Sequence, residues 1–129
     1  MKSYLALNVF RPMNIEDFRN FCIKKPGVKE EFPFGPETLV FKVGGKIFAL
    51  TGLDNSDFSV NLKCDPDYAE ELREKHTEVQ PGYHMNKKHW NTVNFEGSLS
   101  EEFLSELINH SYELVLKSLP KLKRAQIES

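Results

Sequence analysis

The stretch "TLVFKVGGKIFALT", residues 38–51, decides the fold of this chain. Two runs rich in β-branched and aromatic residues flank Gly44-Gly45, and such runs favour β-strands. Adjacent glycines suit a two-residue hairpin turn, because that turn needs a positive φ at both of its central positions. The stretch therefore predicts an antiparallel hairpin in which Val43 lies opposite Lys46.

An uninterrupted continuation of this pairing predicts Phe41 opposite Phe48 and Leu39 opposite Leu50, on one apolar face. The other face of the hairpin carries polar and apolar side chains in similar numbers. A third strand is predicted for "FSVNLK", residues 58–63, in which apolar and polar side chains alternate. This alternation indicates that one face of the sheet is buried and the other is open.

Helix and strand signals around these strands indicate the fold class. Three helices are predicted from capping residues at the start and from Pro or Gly near the end: Asn14 to Lys25, Asp65 to His76, and Ser98, in a capping box with Glu101, to Pro120. A further strand is predicted for residues 88–95, and a loop for residues 32–36. Adjacent antiparallel strands with flanking helices indicate the α+β class, with the helices packed on one face of the sheet.

Length and composition fit a single domain. The chain has 129 residues, of which 40% are hydrophobic and 28% charged, and this length can bury a core without disulfides or metals. We predict a domain over residues 13–120, an N-terminal extension over residues 1–12 and a C-terminal tail over residues 121–129. No stretch of about 18 apolar residues is present, so no membrane span is predicted. Cys22 and Cys64 form no CxxC pair and no secretion signal precedes them, so reduced thiols in a cytoplasmic protein are expected.

The charge of the chain is unevenly distributed. The net charge of −2 argues against a strongly basic nucleic-acid binder. Residues 65–78, however, contain six acids and two bases and sum to −4, so the rest of the chain sums to +2. A protein of this kind can still present a mildly basic face.

The densest chemistry lies in "PGYHMNKKHWN", residues 81–91. His84 and His89 are five residues apart with Lys87 and Lys88 between them, and cationic neighbours disfavour a divalent cation. In a strand, this odd spacing would send the two imidazoles to opposite faces. The chain contains no GxSxG, HExxH or phosphate-loop motif. We therefore predict neither an enzyme nor a cofactor.

The same segment has the composition of a nucleic-acid contact surface. Phosphate contacts need Lys or Arg together with hydrogen-bond donors, and an exposed aromatic ring can stack on a base. The segment supplies this mixture, and polar residues of the predicted sheet extend it on the open face: Asn86, Lys87, Lys88, His89 and Trp90, with Lys42, Asn61 and Lys63. The alternative is that Trp90 packs beneath a loop and the two lysines belong to an ordinary solvated turn.

Three motifs together resemble the MmcQ/YjbR family of small bacterial proteins. They are a Pro-Gly after the first helix, "FGPETLVFKVGGKIFA" over residues 34–49, and "YHMNKKHW" over residues 83–90. The similarity extends from about Met13 to Pro120. The resemblance implies a frataxin-like (CyaY-like) fold, in which helices back an antiparallel sheet, and a proposed double-wing DNA-binding motif.

Carried over by position, the resemblance implies DNA contact by the signature segment and by the two lysines beside the hairpin turn, where a wing tip would lie: Asn86, Lys87, His89 and Trp90, with Lys42 and Lys46. We therefore predict a cytoplasmic, non-enzymatic DNA-binding protein that makes mostly backbone contacts. It would need no cofactor and would be a monomer or a weak dimer.

Two alternatives stay open. One is a small-molecule or protein-binding module with a groove lined by the aromatic loop at residues 32–34, Tyr83, Met85 and Trp90. The other is metal handling by analogy with the frataxins, which place their acids on the first helix and first strand. The acid-rich helix predicted here is the second one, so the correspondence with the frataxins fails on position.

Overall fold

The computed structural model describes residues 13–129, so the predicted extension at residues 1–12 lies outside the described part of the chain. Within that part the helices are α1 Ile15–Ile23, α2 Pro66–Lys75, α3 Glu101–Ser118 and α4 Lys121–Glu128. The strands are β1 Val28–Glu31, β2 Thr38–Val43, β3 Lys46–Gly52, β4 Ser59–Lys63, β5 Val79–Pro81 and β6 Trp90–Asn94. They form one sheet in the order β1-β2-β3-β4-β6-β5, in which every neighbouring pair is antiparallel. The predicted α+β class, with helices flanking one antiparallel sheet, is confirmed.

The helices bury one face of the sheet. α3 packs along β2, β3 and β4, and its buried residues recur at the spacing of one helix face. From α1, the ring of Phe18 makes edge-to-face contacts with Phe41, Phe58 and Phe95, at centroid distances of 5.4, 5.7 and 5.7 Å. This aromatic cluster joins α1 to β2, to the residue before β4 and to the residue after β6.

Gly44 and Gly45 form the predicted hairpin turn. Their φ values are +60° and +83°, and Val43 pairs with Lys46, so both predictions are confirmed. A Cβ atom on Gly44 would lie 2.5 Å from Cδ1 of Leu119. Glycine therefore also allows the turn to pack against the residue that follows α3.

The predicted pairing beyond the turn is wrong, because the register shifts at a β-bulge. Phe41 does not pair with Phe48, and Leu39 pairs with Thr51 instead of Leu50. Phe48 is the extra residue of the bulge, and its ring stays in the core. The rest of the strand is displaced by one position, which turns Leu50 to the open face.

The predicted helix starts are confirmed for two helices and wrong for the third. Asn14 caps α1 and Asp65 caps α2. α3 is capped by Ser100 and not by Ser98. Ser98 instead donates its N–H, at 3.0 Å, and its hydroxyl to the carboxylate of Glu78. These hydrogen bonds lower the pKa of Glu78. They also connect Ser98, which precedes α3, to Glu78, which precedes β5.

The residues predicted to be a C-terminal tail form helix α4. α3 ends at Ser118, just ahead of Pro120 as predicted, and Pro120 then begins α4. Ile127 packs against the core, and a Cβ atom on Gly27 would lie 2.9 Å from its Cγ2. The folded unit therefore continues past the predicted boundary at residue 120.

The two cysteines give a test of the core. Cys22 and Cys64 are buried and are not joined to each other, and burial raises the pKa of each thiol to about 12. At pH 8 such a thiol is ionised in roughly one molecule in 10,000, and the thiolate is the reactive form. We expect a thiol-specific reagent to label neither cysteine of the native protein within minutes, and to label both in guanidinium chloride. Rapid labelling of one thiol in the folded protein would contradict this placement.

Candidate nucleic-acid interface

The register places four of the predicted contact residues on the open face of the sheet. Lys63 pairs with Trp90, and Asn61 pairs with Thr92. Paired residues of antiparallel strands project to the same side. Lys42 shares this side through the pairing of β2 with β3 and of β3 with β4. The open face therefore carries Lys42, Asn61, Lys63 and Trp90.

Hydrogen bonds and ion pairs determine which of these groups can bind a ligand. Lys42 Nζ lies 3.0 Å from the carboxylate of Glu31. The hydroxyl of Thr92 donates a hydrogen bond to Oδ1 of Asn61. The Lys63 ammonium group has no hydrogen-bond or ion-pair partner among residues 13–129. Among the predicted contact residues of this face, Lys63 is therefore the cation that is open to an anion.

The tip of the hairpin packs against the helices. Lys46, predicted to flank a wing tip, lies on the helix-covered side, where its Nζ is 3.5 Å from Oγ of Ser118. A Cβ atom on Gly45 would lie 3.8 Å from Nζ of Lys123 in α4. Lys46 is thus separated from the other predicted contact residues by the sheet.

Asn86 organises the loop between β5 and β6. Its Oδ1 accepts the N–H of Lys88 at 2.9 Å, and its carbonyl accepts the N–H of His89 at 3.2 Å, which is the geometry of an Asx turn. Lys87 Nζ donates to the carbonyl of Gly82 at 3.2 Å. The side chain of Lys88 is exposed, and its ammonium group has no partner in the described part of the chain. Asn86 and Lys87 therefore shape the loop, while Lys88 projects from it.

Gly82 allows this loop to start close to β6. A Cβ atom on Gly82 would lie 2.8 Å from Cβ and 2.9 Å from the carbonyl oxygen of Trp90, and the Gly82 N–H donates to that oxygen at 2.8 Å. The next residue, Tyr83, donates its N–H to Oγ1 of Thr92 at 2.9 Å. This bond turns the loop across the open face. The predicted strand over residues 88–95 correspondingly begins only at Trp90.

Arg73 of α2 holds the other side of the loop. Its Nε donates to Oδ1 of Asn91 at 2.7 Å, and its Nη2 donates to the carbonyls of Lys87 and Trp90, the latter at 3.2 Å. Asn91 is buried, and no described residue accepts a hydrogen bond from its Nδ2. This role was not predictable from the sequence, because Arg73 is one of two bases in an acid-rich segment and has no local motif.

The two histidines of the segment have different surroundings. His84 is exposed, has a φ of +60°, and stacks its ring on Tyr83 at a centroid distance of 4.0 Å. His89 is half-buried, and its carbonyl accepts the N–H of Cys64 at 2.8 Å. Within residues 13–129, no three His, Cys, Asp or Glu side chains are grouped so that they could hold a metal ion.

A groove of about 460 Å³ lies on the open face beside the loop. Its walls are formed by the loop between β5 and β6 and the loop between β1 and β2, and its floor by the sheet. The main lining residues are Tyr83, His84, Met85, Phe34, Leu50, Asn61 and Thr92. The aromatic residues with exposed rings here are Tyr83 and Phe34. Trp90, the ring predicted to stack on a base, is half-buried beside Lys63.

A family model of YjbR matches residues 23–114, most of the chain. The chain belongs to the YjbR family. Protein YbdF of Escherichia coli O157:H7 is 39% identical over 112 residues, which cover 87% of this chain and 92% of YbdF. Protein YjbR of Escherichia coli strain K12 is 34% identical over 112 residues, which cover 87% of this chain and 95% of that protein. The predicted resemblance is confirmed.

Solved structures show the same architecture. Deinococcus radiodurans protein DR2400 has a TM-score of 0.86 at 42% identity, over 93% of this chain and 92% of its own. A Pseudomonas syringae protein has a TM-score of 0.69 at 31% identity, over 80% of this chain and 99% of its own. The family match over residues 23–114 spans the whole sheet and the signature segment at residues 83–90. In the described part of the chain, no helix is long and apolar enough to cross a membrane.

Proposed function

We propose that this YjbR-family chain is a non-enzymatic, cytoplasmic DNA-binding protein that holds the phosphate backbone at the open face of its sheet. The observation that carries the proposal is that two ammonium groups without a partner in the described part of the chain, those of Lys63 and Lys88, belong to the same end of the sheet. The bond from the Cys64 N–H to the His89 carbonyl extends the β4–β6 pairing beyond Trp90. Lys63 lies opposite Trp90, and Lys88 precedes Trp90 by two residues, so both lysines lie at the same end of the sheet.

The distribution of acids supports the choice of this face. Ala69 and Leu72 of α2 belong to the core, so α2 lies on the helix-covered side. The exposed acids of this helix therefore do not face the open side of the sheet: Asp67, Glu70, Glu71 and Glu74. A charge separation of this kind allows a protein of net charge −2 to attract a polyanion to one surface.

The only tryptophan provides the readout for this proposal. Trp90 pairs directly with Lys63, so we expect its fluorescence to change when duplex DNA binds. Binding should weaken steeply as salt is raised, because neutralised phosphates release their counterions. A titration without binding at low salt, or with an affinity that is indifferent to salt, would contradict the proposal.

The double substitution Lys63→Ala/Lys88→Ala is expected to weaken binding of all DNA sequences about equally. It should reduce the slope of log affinity against log salt by about two, roughly one for each lost phosphate contact. Lys75→Ala is the matched control, because Lys75 is exposed on α2 and lies 3.8 Å from the Glu71 carboxylate. The measurement is the salt dependence of affinity for the three proteins. An unchanged slope in the double variant, or an equal loss in the control, would argue against this surface.

A further inference from the structure

The groove on the open face presents two exposed aromatic side chains from different loops. Tyr83 is 69% exposed and Phe34 is 65% exposed, and both line the groove. Solvent-exposed aromatic rings collected in one concavity are typical of binding sites for apolar or planar groups. The volume of about 460 Å³ lies within the range of small-ligand sites in proteins.

The loop conformation holds Tyr83 in place before any ligand arrives. The Tyr83 N–H is bonded to Thr92, and the Tyr83 ring stacks on His84. His84 has a φ of +60°, a conformation that residues other than glycine rarely adopt and that recurs at binding sites. Phe34 lies in a loop closed by a bond from the Gly35 N–H to the Phe32 carbonyl, at 3.3 Å. One aromatic ring is therefore carried on a loop bonded to the sheet, and the other on a loop closed by a bond of its own.

The polar groups in and near the groove differ in charge between its two ends. Asn61 and Thr92 lie in its floor, and Asp54 lines it at the end where β3 stops. Lys63 lies two residues beyond Asn61 on the same face, at the opposite end of the sheet. This order of charge, with a cation beyond one end and an acid at the other, matches that of a nucleotide, whose phosphate is anionic and whose base carries amino or imino donors.

We infer that the groove binds an unstacked base of single-stranded DNA, with Tyr83 and Phe34 as its stacking surfaces. The inference rests on the proposed function, since the phosphates are held by the same lysines. A base inside a duplex is stacked on both faces and has no face left for a side chain, whereas single strands are commonly held by rings between cationic groups. The groove thus favours single strands over duplex.

The test compares two single strands of about ten nucleotides, one with its bases and one with abasic deoxyribose at every position. Both strands carry the same phosphates, so their difference in affinity measures the contribution of the bases. We expect the wild-type protein to bind the intact strand about tenfold or more tightly than the abasic strand, because base stacking on an aromatic residue contributes on this scale. Tyr83→Ala should remove most of this preference, and Tyr83→Phe should retain it.

Two controls separate the groove from the lysines. Phe32→Ala removes a half-exposed phenylalanine from the same loop as Phe34, but Phe32 does not line the groove, so the preference should survive. Lys63→Ala/Lys88→Ala should lower the affinity for both strands by the same factor. Because all these side chains are exposed or half-exposed, the variants should fold like the wild type.

Four outcomes would overturn the inference. Equal binding of intact and abasic strands would refute the base site while leaving phosphate binding by the lysines intact. A preference that Tyr83→Ala leaves unchanged would place the base elsewhere. If free deoxyadenosine displaced the strand when both were present at the same concentration, the groove would be a small-molecule site. Failure to bind either strand or duplex would refute the proposed function as well.

Discussion

Phe18→Ala is expected to lower the free energy of unfolding by about 3–5 kcal/mol, the usual cost of truncating a fully buried phenylalanine. The Phe18 side chain is fully buried and touches the rings of Phe41, Phe58 and Phe95 edge-to-face. Its removal takes away three ring contacts and leaves a cavity between α1 and the sheet. A relaxed core cannot fill such a cavity, since the neighbouring rings are rigid.

Urea unfolding followed by circular dichroism measures this loss. Phe32→Ala is the matched control, and a change within about 0.5 kcal/mol is expected because Phe32 is half-exposed. Phe18→Leu should lower the free energy of unfolding less than Phe18→Ala does. Its stability can be measured even if the alanine variant does not fold. A loss below about 1 kcal/mol in the alanine variant would show that α1 is not held by this aromatic cluster.

The parts of the fold that follow from local chemistry were predictable from the sequence. The turn at Gly44-Gly45 needs two residues that tolerate positive φ, and the caps Asn14 and Asp65 satisfy the first N–H groups of their helices. Each signal depends on a few neighbouring residues. Such signals are present in the chain before any tertiary contact forms.

The register of the hairpin was not predictable in the same way. The bulge at Phe48 has no sequence signature, because either register buries an apolar residue opposite Phe41. The choice depends on α3, where Tyr112 packs against the Phe48 ring at 5.4 Å and Ser111 donates its hydroxyl to the Phe48 carbonyl. These contacts join residues more than 60 positions apart in the chain.

The short edge strands were missed for a related reason. β1 is "VKEE" and β5 is "VQP", and neither alternates in hydrophobicity over enough residues to indicate a strand. β1 forms because Val28 pairs with Val43 at the end of β2, and β5 forms because Val79 pairs with Val93. The central strands supply the hydrogen bonds, so the edge strands depend on the sheet that they join.

The residue types of the candidate site were predicted better from the sequence than the arrangement of their side chains. Lys63 and Lys88 were identified from residue type alone. The assignment of stacking to Trp90 followed from its chemistry, whereas the exposed rings of the groove are Tyr83 and Phe34. Exposure depends on how the loop crosses the sheet. That path is fixed by the bond from Tyr83 to Thr92 and by Arg73, whose partners lie 14 to 18 residues away.

Arg73→Ala is expected to lower the free energy of unfolding by about 2–3 kcal/mol, because it removes charge-assisted hydrogen bonds and leaves a buried acceptor unsatisfied. The buried acceptor is Oδ1 of Asn91, which has Arg73 as its hydrogen-bond donor. The carbonyls of Lys87 and Trp90 lose the same donor. Since these two residues flank Lys88, the loop should loosen and DNA affinity should fall together with stability.

Arg73→Lys tests whether the loop is held by the forked shape of the guanidinium group or by its positive charge alone. A single ammonium group cannot direct donors to three separate acceptors as the planar guanidinium does, so the lysine variant should recover only part of the lost stability. Lys75→Ala, two residues further along α2, should change neither stability nor DNA affinity. Thermal unfolding, Trp90 fluorescence and salt-dependent DNA titration measure the effects. Full recovery by lysine would mean that charge alone holds the loop, whereas a destabilised protein with unchanged affinity would mean that loop order is irrelevant to binding.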